Sequence, residues 1–186
     1  MRTLKYAILG LLMQCPMTGY DISKAFGDGL GCFWSAKHSQ IYPELKRLAE
    51  ERLIRYSTVI QGEHLEKKLY EITPAGREDF LQWLDQDPPL DPTPKDVFRL
   101  RSYYCQWLPE ENYRELIEKQ IEKRFVKLSF LSGLLDKNYG GIDPATLNGA
   151  ARGDYLVLLG AVMREETYMN WLKRCRELVT TWSTQK

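Results

Sequence analysis

The chain has 186 residues, 44% of them hydrophobic and 27% charged, which suits one ordinary domain or a small domain with an extension. Its 26 Lys and Arg stand against 25 Asp and Glu for a net charge of +1, so bulk electrostatics give no hint of nucleic acid, and any phosphate binding must come from local placement. No apolar run approaches the roughly 20 residues of a membrane span, and no charged, apolar and small-residue series marks a cleaved signal, so a cytoplasmic protein without a membrane partner is expected.

Residues 4–14 carry Leu4, Ile8, Leu11 and Leu12 at the one-sided spacing of a helix, which Pro16 stops. Thr18-Gly19-Tyr20-Asp21 then has the form of a capping box: Thr18 caps a new N-terminus and Asp21 answers its backbone. That second helix is short, because Gly27, Gly29 and Gly31 follow. The stretch 35–48, SAKHSQIYPELKRL, reads as a third helix with Ile41, Leu45 and Leu48 on its core face and Pro43 inside it. A helix starting between Ala36 and Ser39 accommodates the proline, since the N–H groups of the first turn have no intrahelical partner. With Ser39 as the N-cap, Pro43 is the fourth helical residue.

Arg55–Ile60 and Lys68–Ile72 alternate and are rich in β-branched or aromatic residues, with a polar, glycine-containing loop at 61–67 between them, which predicts a β-hairpin. Thr73-Pro74 supplies an N-cap followed by proline at the first helical position and opens a helix through about Leu84. Three helices, a two-stranded ribbon and a further helix make a winged helix-turn-helix arrangement. The segment 85–94, with four prolines and three aspartates, is a boundary. Beyond it the pattern is all helix. Thr93-Pro94 opens one helix to about Gln106, and Pro109 opens a long one to about Lys137 carrying Ile117, Ile121, Leu128, Leu131 and Leu135. Asp143-Pro144 caps a last stretch with an interruption near Gly149–Gly153. Its stripe runs from Tyr155 through Leu158, Val162, Met169, Leu172 and Val179. The expected fold is mainly α with a small β-hairpin: a winged helix-turn-helix over 1–86 and a helical dimerisation region over 87–186. The long helices need a further surface for their apolar sides, which they can find on each other, on a second subunit, or both. A homodimer is expected, because a helix-turn-helix monomer rarely supplies enough DNA contact alone, with an intramolecular helical hairpin as the alternative.

Four scattered cysteines, Cys15, Cys32, Cys105 and Cys175, show no metal spacing and read as buried free thiols in a reducing compartment. His38 and His64 are the only histidines and fit surface positions better than ligand roles. With no G-x-S-x-G and no H-E-x-x-H, neither a nucleophile set nor a metal set assembles, and no enzyme, cofactor or metal is expected.

LGLLMQCPMTGYDI (9–22), FWS (33–35), QIYPELKRL (40–48) and LYEITPAGR (69–77) together closely resemble the PadR family of bacterial transcription regulators, over about residues 4–84. The remaining helices resemble the longer, AphA-like C-terminal dimerisation region of that family. The resemblance implies a dimeric winged-helix protein that binds double-stranded operator DNA, most often as a repressor, and that responds to a small aromatic effector. By position it makes Tyr20, Ser39, Gln40, Tyr42 and Lys46 DNA-facing, with Lys67 and Lys68 on the wing. The residue types agree. Lys37, His38, Ser39 and Gln40 cluster at a helix N-terminus, where free N–H groups favour phosphate oxygen. Gln40 can pair with adenine and Lys37 with guanine or phosphate, while Ser39 and Tyr42 offer hydroxyls. Ser39 serves equally as an N-cap, and the Tyr42 ring equally as core.

Two departures stand out. The wing GEHLEKK carries Glu63 and Glu66 where the family is commonly Arg-rich, which predicts weaker wing contacts. Where the family has glycine before the first wing strand, this chain has Arg52. Either Arg52 adopts the left-handed backbone at some cost or the turn differs. Trp34, Tyr103, Tyr104 and Trp107 are the effector candidates, although aromatics at helical spacing more often build a core. The near-neutral charge and acidic wing leave one rival reading, a winged-helix protein-interaction module without specific DNA binding.

Overall fold

The computed structural model describes residues 2–27, 34, 36–61, 65–90 and 92–184. Two compact units emerge, Met1–Leu90 and Asp91–Lys186. In the first, α1 (Thr3–Gln14) leads into a two-residue strand, β1 (Met17–Thr18), and then into α2 (Gly19–Gly27), α3 (His38–Glu50), β2 (Ile54–Gln61), β3 (Leu65–Ile72) and α4 (Pro74–Leu84). The core is one cluster: Ile8, Leu9, Leu11 and Leu12 of α1, Ile22 and Phe26 of α2, Ile41, Leu45 and Leu48 of α3, Ile54 of β2 and Tyr70 of β3. Leu45 and Leu48 are wholly buried, and each such side chain stabilises the unit by roughly 1.5–3 kcal/mol. Helix α4 closes against α1 through Tyr6 stacked on Trp83 at 4.4 Å and through Lys5 paired with Asp79 at 2.6 Å.

The sheet has three strands rather than the expected two, in the order β1-β3-β2, all antiparallel. Met17 pairs with Tyr70 and Thr18 with Leu69, which seats the start of α2 against the wing. Two residues are too few to alternate, so nothing in the sequence marks them as a strand. The wing strands also reach further than expected, and Glu66 and Lys67 lie on β3 rather than in a loop. Thr73 caps α4 as predicted, its Oγ1 accepting from the Gly76 N–H at 3.1 Å, with Pro74 next.

The second unit holds α5 (Val97–Tyr103), a 3-10 turn at Cys105–Trp107, α6 (Glu110–Tyr139), a 3-10 turn at Pro144–Thr146 and α7 (Gly149–Thr184). Helix α5 starts later than Thr93-Pro94 suggested. Asp96 is the cap, and its Oδ1 accepts from the N–H groups of both Phe98 and Arg99 at 2.9 and 3.0 Å. Asp143 caps only the short turn, and α7 begins at Gly149, whose φ of +53° breaks the chain from what precedes it. From there α7 is continuous. The predicted stripe Leu158, Val162, Met169, Leu172 and Val179 is buried. On α6, Ile117 and Leu131 are buried, with Ile121, Leu128 and Leu135 packed at the margins.

A polar network crosses this unit. Burial pushes the Glu165 carboxyl up, but hydrogen bonds from Lys127 (2.7 Å) and Arg124 (2.8 Å), with their charges, outweigh it and hold it below the usual carboxylate range. The Arg124 guanidinium lies 3.8 Å from the Tyr168 ring centre, and the Tyr168 hydroxyl donates to Asp96 Oδ2 at 2.7 Å. Burial and that carboxylate raise the Tyr168 hydroxyl to about 12. Cys15, Cys105 and Cys175 are free thiols. Cys15 is exposed rather than buried because it lies just past the end of α1, and Cys32 is outside the described residues. No helix among the described residues is long and apolar enough to cross a membrane.

Candidate nucleic-acid interface

The start of α2 is built as the sequence predicts. The Asp21 N–H donates to Thr18 Oγ1 at 3.2 Å, the Thr18 N–H donates to Asp21 Oδ2 at 3.2 Å, and the Thr18 hydroxyl donates to the same oxygen at 2.7 Å. The Thr18 hydroxyl, together with its N–H and the charges of Lys67 and Lys24, holds the Asp21 carboxyl below its ordinary range. This rigid turn displays Tyr20, 65% exposed, in its first residues. Beside it the Tyr42 ring lies across Gly19. A Cβ on Gly19 would stand 2.8 Å from Tyr42 Cε1, so only glycine admits the ring there.

Helix α3 starts at His38, inside the expected window, but its cap is Lys37 and not Ser39. The reason is Gln40. Its Oε1 accepts from the Lys37 N–H at 3.1 Å while its own N–H donates to the Lys37 carbonyl at 2.8 Å, so capping is done from within the helix. Pro43 is therefore the sixth helical residue and not the fourth. Having no N–H, it cannot give Ser39 its regular helical bond. The helix is clamped from outside by Arg2, which the sequence did not single out: its Nε donates to Glu44 at 3.1 Å and its guanidinium also pairs with Glu51. Glu44, buried on α3, pairs with Arg47 as well, at 3.7 Å.

At its far end α3 closes with the Leu53 N–H on the Leu48 carbonyl (3.0 Å) and the Arg52 N–H on the Ala49 carbonyl (3.1 Å). This is the Schellman pattern, which requires a left-handed residue between. Arg52 takes that role, with φ at +58°. The turn thus keeps the geometry of a glycine cap without glycine.

The wing meets α3 across an open groove of about 810 Å³. Tyr42, Leu45, Lys46, Ala49 and Glu50 of α3 form one wall, Tyr56 of β2 with Glu66, Lys67, Lys68 and Tyr70 of β3 the other, and Thr18, Gly19 and Tyr20 close one end. Tyr56 sits directly across from Tyr70, the rings 5.8 Å apart, and the Lys68 Nζ lies 4.1 Å from the Tyr56 ring centre. Burial raises the Tyr70 hydroxyl, against the pull of Lys68. Lys46 approaches Glu50 at 3.9 Å.

Of the expected contact residues, Tyr20, Tyr42, Lys46, Lys67 and Lys68 therefore gather at this groove. Lys37, His38, Ser39 and Gln40 are exposed together on the first turn of α3, with the His38 ring 4.8 Å from Tyr42. Tyr56 was missed, because only the strand register reveals that it faces α3. Glu63 and His64 lie outside the described residues. The effector candidates are divided between the two units. Trp34 belongs to the first unit, while Tyr103, Tyr104 and Trp107 of the second are all exposed, Tyr103 edge-on to Tyr104 at 5.0 Å.

A three-helix unit with a wing, its second motif helix exposed beside basic and tyrosine side chains, defines the winged helix-turn-helix class of DNA-binding proteins. Comparisons with known proteins place the chain within that class. Residues 8–82 match the transcriptional regulator PadR-like family, and residues 94–180 match the virulence activator alpha C-terminal family. The negative transcriptional regulator PadR of Bacillus subtilis is 45% identical over 173 residues, 93% of this chain and 95% of that protein. The crystal structure of B. subtilis PadR in complex with operator DNA superposes with a TM-score of 0.89 at 43% identity, covering 96% of this chain and 99% of the other. The same protein in complex with p-coumaric acid superposes with a TM-score of 0.84 at 38% identity over the same shares. The chain belongs to the PadR-like family of transcriptional regulators.

Proposed function

We propose that this protein is a homodimeric repressor that binds operator DNA through the first unit and is released by a small aromatic acid. The observation that carries the reading is the groove itself. Tyr20, Tyr42, Lys46 and Lys68, with Lys67 beside them, come from three separate elements and line one open channel beside α3. In this reading α3 enters the major groove. Tyr20 and Tyr42 give hydroxyls to phosphate or base edges, Lys46 pairs with phosphate, and Lys67 and Lys68 follow the backbone along β3. Lys37, His38 and Ser39 meet phosphate at the helix N-terminus. Gln40 can read adenine only by giving up its bond to the Lys37 N–H.

Residues 1–86 act as the DNA-binding domain and 87–186 as the dimerisation domain. Phe125, Val126 and Phe130 of α6, with Leu156 and Met163 of α7, are large apolar side chains left exposed, as expected of a face that meets a second copy. Two copies present their α3 helices to half-sites about one helical turn, roughly 34 Å, apart. An effector of the p-coumaric acid kind is carried over from the B. subtilis relative, and Trp34, Tyr103, Tyr104 and Trp107 remain its proposed contacts. The protein acts by binding, not catalysis, in the cytoplasm.

The test is a titration of labelled DNA from the region upstream of its own gene, at two salt concentrations, with and without p-coumaric acid. Preference over random DNA and a steep loss of affinity with salt are expected. Equal, weak binding to all DNA would refute the operator reading and favour a protein-docking surface.

A further inference from the structure

We propose that Tyr56 is a positioning residue that holds the wing ammonium of Lys68 in place for the DNA backbone; this rests on the operator-binding reading above. Residues 54, 56 and 58 of β2 and 66, 68 and 70 of β3 share the sheet face turned to α3. On that face Lys68 is paired in register with Thr58 and lies diagonal to Tyr56. Its side chain crosses to the Tyr56 ring, at 4.1 Å from the centre, within the range where a ring face attracts a cation. Lys68 pairs with no carboxylate among the described residues, although Glu66 lines the same groove. Tyr56 is in turn fixed from below by the buried ring of Tyr70 directly across the strands.

The arrangement solves a problem particular to this wing. An exposed lysine loses rotamer freedom when it settles on a phosphate, and an acidic neighbour offers it a competing partner. The Tyr56 ring is a neutral partner that keeps the ammonium exposed at the groove with its full charge. A neutral face leaves phosphate pairing open, whereas a carboxylate would have to be displaced. Tyr56 acts through Lys68, and its own hydroxyl is not required.

The test uses the full chain and the upstream duplex, read by fluorescence anisotropy over a salt series, with Tyr56→Phe, Tyr56→Leu, Lys68→Ala and the double variant Tyr56→Leu/Lys68→Ala. Tyr56→Leu is expected to weaken binding about two- to fivefold, the range of an exposed cation–π contact, while Tyr56→Phe keeps wild-type affinity. Lys68→Ala lowers the slope of log affinity against log salt by about 1, and the double variant binds no more weakly than Lys68→Ala alone. In the free protein the ring-current shift of the Lys68 ε-methylene protons persists in Tyr56→Phe and disappears in Tyr56→Leu. Additive losses in the double variant, or equal damage from Phe and Leu, would overturn the proposal while leaving the operator reading intact. Failure of the wild-type chain to prefer its own upstream DNA would remove the operator reading instead.

Discussion

Replacing Arg52 by glycine should stabilise the protein. Arg52 is held at φ +58° because the two closing bonds of α3, Leu53 to Leu48 and Arg52 to Ala49, are made only with a left-handed residue between them. For a residue with a Cβ that conformation costs roughly 1–2 kcal/mol, and glycine is spared it. Against this, glycine makes the unfolded chain more flexible by roughly 0.4–1 kcal/mol. The Arg52 side chain is exposed, so its removal forfeits little. The balance favours Arg52→Gly by about 0.5–1 kcal/mol, a rise of roughly 2–5 °C in the melting temperature. Thermal and urea unfolding of wild type, Arg52→Gly and Arg52→Ala measure it. Alanine keeps the Cβ and should leave stability near wild type, which separates backbone from side chain. An unchanged or lowered midpoint for Arg52→Gly, or an equal gain for Arg52→Ala, would refute the reasoning.

Three further substitutions probe other contacts. Gly19→Ala should push the Tyr42 ring outward and cost roughly tenfold in operator affinity, while the helix gains propensity and the melting temperature does not fall; unchanged binding counts against Tyr42 as a contact. Gly76→Ala should destabilise by roughly 3 kcal/mol or more, because the new Cβ would lie 2.0 Å from the Leu53 carbonyl oxygen that Thr73 holds through its N–H and hydroxyl at 3.0 Å; urea denaturation reads this directly. Glu165 has a folded value below its unfolded one of roughly 4.3, so its contribution is present above that pH and is lost as pH falls through the folded value. Glu165→Gln should therefore lower the unfolding free energy at pH 7 by about 2 kcal/mol, read from urea titration, and flatten its decline below pH 5; an acid limb as steep as wild type would contradict that.

The local signals in the sequence carried most of the helices. Thr18 with Asp21 and Thr73 with Pro74 are caps written within four residues, and the Leu158-to-Val179 stripe repeats often enough to show its buried side. What was not legible depended on partners distant in sequence or on competition between near-equal candidates. Ser39 looked like the better cap, but the Gln40 side chain supplies the acceptor and moves the start to His38. Thr93-Pro94 resembled a helix start, yet Asp96 binds two N–H groups with a charged oxygen. Met17 becomes a strand only because Tyr70 is beside it. Tyr56 shows its role only once it is placed opposite Tyr70, which alternation within one strand does not specify.

The groove's charges have a consequence for how such a repressor finds its target. Three lysines, Lys46, Lys67 and Lys68, share it with Glu50 and Glu66, and Lys46 is already close to Glu50. Attachment to arbitrary sequence is almost wholly a matter of displaced counterions, and the two carboxylates offset part of the attraction that the lysines supply. On the operator-binding reading, a loosely fitted site is therefore held more weakly than the three lysines alone would hold it, and the preference for a well-fitted one is sharpened.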